Sequence, residues 1–326
     1  NGSTLSVALF TNLSHDHLDY HGNMQAYAAT KARLFHWDGL KYAVLNFDDV
    51  FSVELTKQLT GRATNIIGYG FEELAIKERD PKLFKMVHGR NLRVSSQGLE
   101  FDVVFEGERI KVKTALIGEF NASNLLAVLS TLLACGLSLS DAVKSLQEIQ
   151  PIPGRMEKFG GGSLPLVVID FAHTPEALEK TLIALRVVIN SAKDMSKIKN
   201  KKSKLICIFG CGGDRDQDKR AFMGKIATEL SDETIITSDN PRNEDPSSII
   251  NEIVSGADIN YLVQENREAA IRRGLYGAHK GDIILIAGKG HEIYQEIGKK
   301  RLPFSDAKVV RLILKELRSK VKGPQE

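Results

Sequence analysis

Residues 205–215 read Leu-Ile-Cys-Ile-Phe-Gly-Cys-Gly-Gly-Asp-Arg, an apolar run that ends in glycines and charged residues. A short continuous apolar run closed by glycine is typical of a strand that is buried on both faces of a sheet. Similar runs recur at helix-length spacing, at residues 166–169, 234–237, 261–263 and 283–286. Strands that alternate with helices predict a parallel sheet with right-handed crossovers, so we expect a doubly wound, Rossmann-like domain.

Polar residues follow four of these runs, at residues 170–173, 210–215, 238–242 and 288–292. Doubly wound sheets bind ligands outside the carboxyl ends of their strands, so we expect a binding site at this edge. The sequence contains neither G-x-G-x-x-G nor G-x-x-x-x-G-K-[ST]. These absences disfavour a dinucleotide site and a P-loop within the chain.

The first 150 residues predict a different α/β unit. Strands are expected at residues 5–10 and 42–45, with a helix between them that has Tyr27, Leu34 and Phe35 on its apolar side. Apolar residues then alternate with a period of two at 92–95, 99–105 and 110–116, separated by turns that contain glycine. This pattern predicts an antiparallel meander.

Two helices, at about residues 123–135 and 140–146, follow the meander. The next segment is Pro151-Ile152-Pro153-Gly154. Proline fixes φ and disfavours helix in the residue before it, so the segment predicts a domain boundary. We therefore expect one domain over residues 1–152 and a second over residues 153–326.

Composition limits the possible partners. The chain is 42% hydrophobic and 26% charged, with a formal net charge of +3. It is therefore not basic enough for a general electrostatic affinity to drive nucleic-acid binding. The longest apolar run is shorter than the ~20 residues that span a bilayer. The three cysteines form no disulfide framework, which favours a reducing, cytoplasmic setting. We expect a small-molecule partner, no membrane insertion and a monomer.

A cluster of histidines and aspartates follows the first predicted strand, in Thr-Asn-Leu-Ser-His-Asp-His-Leu-Asp-Tyr-His-Gly at residues 11–22. A zinc site is conceivable, but no cysteine or remote histidine group completes a tetrahedral set. Magnesium bound with phosphate is favoured, because Mg²⁺ prefers hard oxygen ligands and keeps several waters. The alternative is a polar helix-capping loop, and we assign His15 and His21 to that class.

This segment, followed by Met-Gln-Ala-Tyr-Ala-Ala-Thr-Lys-Ala-Arg-Leu-Phe at residues 24–35, resembles the central-domain motif of Mur ligases that add the third residue of the peptidoglycan stem. The resemblance implies that His17 helps to hold Mg²⁺ and that Lys31 is carbamylated. An ordinary lysine, with a pKa of ~10.4, is a cation that repels Mg²⁺, whereas its carbamate offers an anionic oxygen. Taken alone, Lys31 would be a surface lysine on a helix.

Three further segments resemble the family's ATP contacts. Residues 118–124 resemble G-x-F-N-x-x-N, which implies that Asn121 and Asn124 contact the nucleotide. Alternatively, Asn121 or Ser123 could simply cap a helix. Residues 153–157 match P-G-R-M-E and assign Arg155 to the phosphates, which a charged guanidinium suits. Residues 170–175 resemble D-Y-A-H-T-P with Phe171 for tyrosine, so Asp170 would accept from ribose hydroxyls or, alternatively, cap a helix.

The amino-acid site is assigned by three other segments. Residues 210–220 resemble G-C-G-G-D-R-D-x-G-K-R, whose glycines would let the backbone approach a ligand closely. Asp218 stands where the family has glycine, and Ala221 follows where the family usually has proline, so both departures put the local turn in doubt. Residues 239–242 match the D-N-P-R of diaminopimelate-adding members, and residues 288–292 match G-K-G-H-E. The resemblance assigns meso-diaminopimelate binding to Arg215, Asp239, Asn240, Pro241, Arg242, Gly288 and Glu292.

Arg242 is the residue that would choose the amino acid. Diaminopimelate has a second carboxylate, which lysine lacks, and a guanidinium can bind that group with two parallel hydrogen bonds. Sites built around such polar contacts discriminate by roughly 10⁴ or more against an analogue that lacks the group. Outside this context, D-N-P-R would be only a turn.

The resemblance implies an ATP-dependent ligase of peptidoglycan synthesis that adds meso-diaminopimelate to UDP-N-acetylmuramoyl-L-alanyl-D-glutamate through an acyl phosphate. The alternatives are a lysine-adding relative and a non-catalytic module that binds diaminopimelate or a partner protein. Asn1 to Thr4 lead directly into a predicted strand. The chain lacks the N-terminal UDP-binding domain of the family, and it also lacks the phosphate-binding G-T-N-G-K-T loop that the family has. We therefore expect a fragment that is inactive on its own.

Overall fold

The computed structural model describes residues 4–13, 23–72, 84–195 and 203–322. The chain divides into two compact units, which consist mainly of residues 1–149 and 150–326. Short segments at 94–97 and 116–118 group with the second unit. The predicted metal ligand His17 lies outside the described residues.

The first unit contains a sheet in which the described strands have the order β1-β2-β3-β4-β5-β6. These strands are β1 (Val7–Phe10), β2 (Tyr42–Asn46), β3 (Asn65–Gly70), β4 (Phe84–Val94), β5 (Leu99–Phe105) and β6 (Glu108–Thr114). The first four are parallel. The helices of this unit are α1 (Met24–Ala32), α2 (Phe51–Leu59), α3 (Glu119–Ala134) and α4 (Leu139–Gln147), and a 3-10 turn follows α1 at Arg33–His36.

The predicted meander is confirmed in its second half, where β5 and β6 pair antiparallel from Leu99↔Thr114 to Phe105↔Glu108. Its first strand differs from the prediction. It begins at Phe84 rather than residue 92 and pairs in parallel with β3. The strand is hard to recognise in the sequence because charged residues and a glycine interrupt its apolar residues. The glycine, Gly89, is needed in the fold because a β-carbon there would collide with the ring of Phe71.

The second unit contains a sheet of order β11-β10-β9-β12-β8-β7. Its strands are β7 (Glu157–Gly160), β8 (Leu166–Asp170), β9 (Leu205–Phe209), β10 (Glu233–Ile236), β11 (Tyr261–Val263) and β12 (Ile283–Ala287). All pairs are parallel except that of β7 with β8. The predicted doubly wound sheet is therefore confirmed, whereas the antiparallel edge strand β7 was not predicted.

Helices cover both faces of this second sheet, and its central strands are therefore buried throughout. The helices are α5 (Pro175–Met195), α6 (Lys219–Leu230), α7 (Pro246–Val254), α8 (Arg267–Gly277) and α9 (Asp306–Lys322). Val167, Ile206 and Ile284 point toward one face and pack in a core with α8 and α9. Neighbouring residues along each strand point to the opposite face, where α5, α6 and α7 contact the strands.

A two-stranded hairpin, β13 (Tyr294–Ile297) and β14 (Lys300–Pro303), follows β12. The sequence did not predict it, because β14 has no buried residue to produce an apolar alternation. Among the described residues, no helix has the length and apolar character needed to cross a membrane.

Candidate functional site

A cavity of about 430 Å³ lies at the carboxyl ends of the parallel strands in the second unit. Its walls come from the segments after β8, β9, β10 and β12, as the sequence predicts for a doubly wound sheet. Six of the seven residues assigned to the amino acid line it: Arg215, Asp239, Asn240, Arg242, Gly288 and Glu292. Pro241 is not part of the lining. Ligand binding by these residues stays a prediction.

Arg242 is held on both sides of its guanidinium. Nε donates to Glu296 Oε2 at 3.1 Å, and Nη1 donates to the carbonyl oxygen of Gly213 at 2.7 Å. The side chain keeps 23% of its surface exposed, at the cavity. Its backbone has a φ of 51°, in the left-handed region that a residue other than glycine seldom adopts.

The glycine-rich segment after β9 packs against the D-N-P-R segment. Gly213 N–H donates to the carbonyl oxygen of Asn240 at 2.9 Å, and a β-carbon on Gly213 would lie 2.0 Å from the carbonyl oxygen of Pro241. The sequence suggested that these glycines admit a ligand. In the structure, Gly213 admits the neighbouring backbone instead, and so holds Arg215 beside Arg242 in the cavity wall.

Glu292 belongs to a hydrogen-bonded group with Lys289 and Asn240. Its Oε2 accepts from Lys289 Nζ at 2.8 Å and from Asn240 Nδ2 at 2.9 Å. Lys289 is fully buried and also donates to Asn240 Oδ1 at 2.8 Å. These bonds join the G-K-G-H-E segment to the D-N-P-R segment.

Asp239 is a buried carboxylate with an unsatisfied oxygen. Its side chain lines the cavity, yet Oδ2 accepts no hydrogen bond from the part of the chain that the structure describes. Arg267 Nη1 lies 3.9 Å from Oδ2, but this arginine forms hydrogen bonds of 2.8 Å with both oxygens of Asp306. Burial raises the pKa of Asp239 because desolvation outweighs the attraction of Arg267 and Lys289.

The residues assigned to ATP in the second unit lie close to this cavity. Asp170 is buried, and its oxygens accept from Met156 N–H and Ala172 N–H, each at 2.9 Å. Desolvation raises the pKa of Asp170. The guanidinium of Arg155 stacks at 4.7 Å over the ring of Phe171, which lines the cavity. Asp170 therefore anchors the segment that carries Arg155, while its contact with ribose stays a prediction.

In the first unit, the predicted ATP and metal residues have local partners. Lys31 Nζ donates to the carbonyl oxygen of Asn12 at 2.8 Å and lies 4.8 Å from the centre of the Tyr27 ring. Asn121 and Asn124 lie in the first two turns of α3, where Asn124 Nδ2 donates to Asn121 Oδ1 at 3.4 Å. Among the residues that the structure describes, no group of three or more His, Cys, Asp or Glu side chains could hold a metal ion.

The departure at Asp218 does not disturb the turn. Asp218 precedes α6 with a φ of −60° and a ψ of −30°, a conformation that any L-residue adopts, so glycine is not required there. Ala221 lies in the first turn of α6, where proline is tolerated but not needed. The fully buried Arg220 stabilises the region by donating to Glu244 at 2.8 Å and to Glu252 at 2.9 Å.

Sequence reasoning missed the residues that support the cavity wall, above all Glu296, Arg267 and Asp306. The sequence gives little indication that these residues support the cavity. Asp306 and Arg267 are charged residues in segments that also carry apolar core residues, but their pairing across 39 positions depends on the tertiary fold.

Comparison with known proteins gives matches along most of the chain. Residues 2–132 match the Mur ligase middle domain, and residues 154–290 match the Mur ligase glutamate ligase domain. The chain is 50% identical to the UDP-N-acetylmuramoyl-L-alanyl-D-glutamate–2,6-diaminopimelate ligase of Nitrosomonas europaea, over 97% of the chain and 61% of that protein. It is 44% identical to the enzyme of the same name from Chromobacterium violaceum, over 95% of the chain and 59% of that protein.

Solved structures have the same fold. A structure of a UDP-N-acetylmuramoyl-L-alanyl-D-glutamate–2,6-diaminopimelate ligase aligns with a TM-score of 0.66 at 35% identity, covering 96% of this chain and 61% of the other. The MurF ligase of Thermotoga maritima in complex with ADP aligns with a TM-score of 0.63 at 18% identity, over 96% of this chain and 62% of the other. The chain thus spans about three fifths of the length of the curated relatives it matches. On the matches to its two domains and to these relatives, the chain belongs to the Mur ligase family.

Proposed function

We propose that this chain forms the ATP-binding and amino-acid-binding part of a ligase that adds meso-diaminopimelate to UDP-N-acetylmuramoyl-L-alanyl-D-glutamate in peptidoglycan synthesis. The observation that carries the proposal is the meeting of Arg215, Arg242, Asp239 and Glu292 around one cavity. The relatives from Nitrosomonas europaea and Chromobacterium violaceum are both named as 2,6-diaminopimelate ligases, which supports the same substrate. The proposal includes a cytoplasmic, monomeric protein.

The charges of the cavity suit a zwitterion with two carboxylates and two ammonium groups. Arg242 and Arg215 are the cations for the carboxylates, and Glu292 and Asp239 are the anions for an ammonium. Asp239 supports this assignment because it adds a second carboxylate to the cavity lining, whose negative charge attracts a ligand ammonium. The volume of about 430 Å³ falls within the range of small-molecule sites.

The two domains are proposed to divide the reaction, with residues 1–152 carrying the ATP-binding part and residues 153–326 the amino-acid site. An oxygen of the D-glutamate γ-carboxylate attacks the γ-phosphorus of ATP, and the bond to ADP breaks. The amine of diaminopimelate then attacks the acyl carbon, loses a proton and expels phosphate. Asn121, Asn124, Arg155 and Asp170 are proposed to bind the nucleotide during these steps.

Magnesium and the carbamylation of Lys31 belong to the proposal as well. The described residues contain no cluster of metal-binding side chains, and Lys31 Nζ donates to the carbonyl oxygen of Asn12. Carbamylation would replace that cation with an anionic oxygen, and His17 is the proposed second ligand. A bound Mg²⁺ would neutralise phosphate charge.

The test is an assay of ATP-dependent amide formation, performed on this protein together with any further sequence that its gene encodes. Phosphate release is measured with the UDP-linked dipeptide and either meso-diaminopimelate or L-lysine. We expect a kcat/KM for diaminopimelate roughly 10⁴ times that for lysine. Arg242→Ala should remove most of this preference, while Arg318→Ala, at an exposed site on α9, should keep it. Equal kcat/KM values for the two amino acids would contradict the proposal.

A further inference from the structure

The β13–β14 hairpin forms side-chain hydrogen bonds with residues 239–242. Gln295 Nε2 donates to the carbonyl oxygen of Asp239 at 2.6 Å. Glu296 N–H donates to Asn240 Oδ1 at 2.9 Å. The hairpin therefore contacts the start of the D-N-P-R segment, which the glycine-rich loop contacts as well.

Main-chain hydrogen bonds hold Arg242 to the same hairpin. Arg242 N–H donates to the carbonyl oxygen of Glu296 at 3.1 Å, and Gly298 N–H donates to the carbonyl oxygen of Arg242 at 2.6 Å. Arg242 also forms a parallel bridge with Ile297. These bonds explain how a residue other than glycine keeps a φ of 51°, a conformation that is unfavourable without such support.

The hairpin also sets the orientation of the Arg242 guanidinium. Glu296 Oε2 accepts the hydrogen bond from Nε–H, and the carbonyl oxygen of Gly213 accepts a hydrogen bond from one of the two N–H groups of Nη1. A guanidinium has five N–H groups in a fixed plane, so three remain, on Nη1 and Nη2. This remaining edge is the geometry that binds a carboxylate with two parallel bonds. Glu296 itself is not part of the cavity wall.

A second arginine prevents Glu296 from cancelling the charge of Arg242. Arg301, on β14, donates from Nε to Glu296 Oε1 at 2.8 Å and stacks on the ring of Tyr294 at 4.6 Å. Two guanidinium groups thus share one carboxylate, and the group keeps one net positive charge. The hydrogen bond from Arg301 lowers the pKa of Glu296, so Glu296 stays ionised.

We propose that Glu296 is a positioning residue for the choice of amino acid. Together with the hairpin, it holds the Arg242 guanidinium with its open edge toward the cavity, where it binds the carboxylate at the far end of a diamino dicarboxylic acid. The inference rests on the proposed function and deepens it. It assigns specificity to the hairpin as well as to the D-N-P-R segment.

The test is calorimetric binding of meso-diaminopimelate and of L-lysine to the 326-residue chain. Glu296→Ala should weaken diaminopimelate binding about tenfold or more, the effect of losing a hydrogen bond to a charged group. Lysine binding should change by less than about twofold, because lysine has no second carboxylate. Glu296→Gln keeps an acceptor oxygen for Arg242 Nε and should give an intermediate loss. Glu316→Ala, which removes a carboxylate bound to Arg272 outside the cavity, is the matched control.

Several outcomes would overturn the inference. One is an unchanged diaminopimelate affinity in Glu296→Ala, and another is an equal loss for both amino acids, which indicates general damage to the site. If Glu296→Ala does not fold, as judged by circular dichroism, the isosteric Glu296→Gln decides by the same criteria. If Arg242→Ala abolishes the preference and the Glu296 variants keep it, the inference alone fails. If the unaltered chain does not prefer diaminopimelate, the proposed function fails with it.

Discussion

Gly288→Ala is expected to damage the proposed amino-acid site at one defined atom. A β-carbon at this position would lie 2.6 Å from Oδ2 of Asp239, whereas ordinary contacts begin at 3.4 Å. The backbone of Gly288 has a φ of 110°, which L side chains rarely adopt. The substitution therefore adds both backbone strain and a collision with the buried carboxylate.

The magnitude follows from these two terms. An alanine at positive φ costs roughly 1–2 kcal/mol, and overpacking typically adds about 1–3 kcal/mol. We expect the free energy of unfolding of Gly288→Ala to fall by about 3 kcal/mol. Gly162→Ala is the matched control, because Gly162 also has a positive φ of 71° but no atom within 4 Å of an added β-carbon. That control should lose only about 1 kcal/mol.

The assay is urea denaturation of both variants, followed by circular dichroism, with calorimetric titration of meso-diaminopimelate. Displacement of Asp239 should weaken binding about tenfold or more in Gly288→Ala, and Gly162→Ala should bind as the unaltered chain does. Equal stability losses in the two variants, together with unchanged affinity in Gly288→Ala, would refute the reasoning.

Further predictions concern three charged residues. Lys31→Ala should remove most ATP-dependent amide formation when assayed with any further sequence that the gene encodes; full turnover by this variant would contradict the carbamylation proposal. Asp239→Asn should raise the free energy of unfolding at neutral pH. Burial raises the folded pKa of Asp239, so this carboxyl group stabilises the fold only while it is protonated, and that stabilisation is lost as the pH rises through the folded pKa. The gain over the unaltered chain should shrink between about pH 7 and about pH 4 in urea denaturation, and a gain that does not depend on pH would be inconsistent with this linkage. Arg220→Ala should lower the free energy of unfolding by about 3–5 kcal/mol because it leaves the partly buried Glu244 unpaired, and a loss below about 1 kcal/mol would show that the pair is no more than a surface contact.

Much of the second unit could be predicted from its sequence. Three strands, β8, β9 and β12, are buried throughout and produce continuous apolar runs. The predicted bounds 205–209 and 261–263 agree with the structure residue for residue. The position of the cavity followed from topology, because parallel strands bring their carboxyl ends to one edge of the sheet. This is why segments as distant as Arg215 and Glu292 could be expected to meet.

The residues that hold the site in shape could not be predicted in the same way. The β13–β14 hairpin is largely exposed and has no apolar alternation, and its contact with Arg242 depends on tertiary folding. The role of Gly213 was predicted for a ligand, whereas the structure uses it against the Pro241 backbone. A glycine in a sequence indicates that something approaches closely, but it does not identify what approaches.

The central claim is that the cavity of the second unit binds meso-diaminopimelate with its second carboxylate on Arg242. A crystal structure of the chain with meso-diaminopimelate tests this claim most directly. We predict electron density for the ligand in the cavity, with one carboxylate bound to the Nη1–Nη2 edge of Arg242 and an ammonium near Glu292 or Asp239. Ligand density elsewhere, or a ligand in the cavity with both carboxylates away from Arg242, would contradict the account.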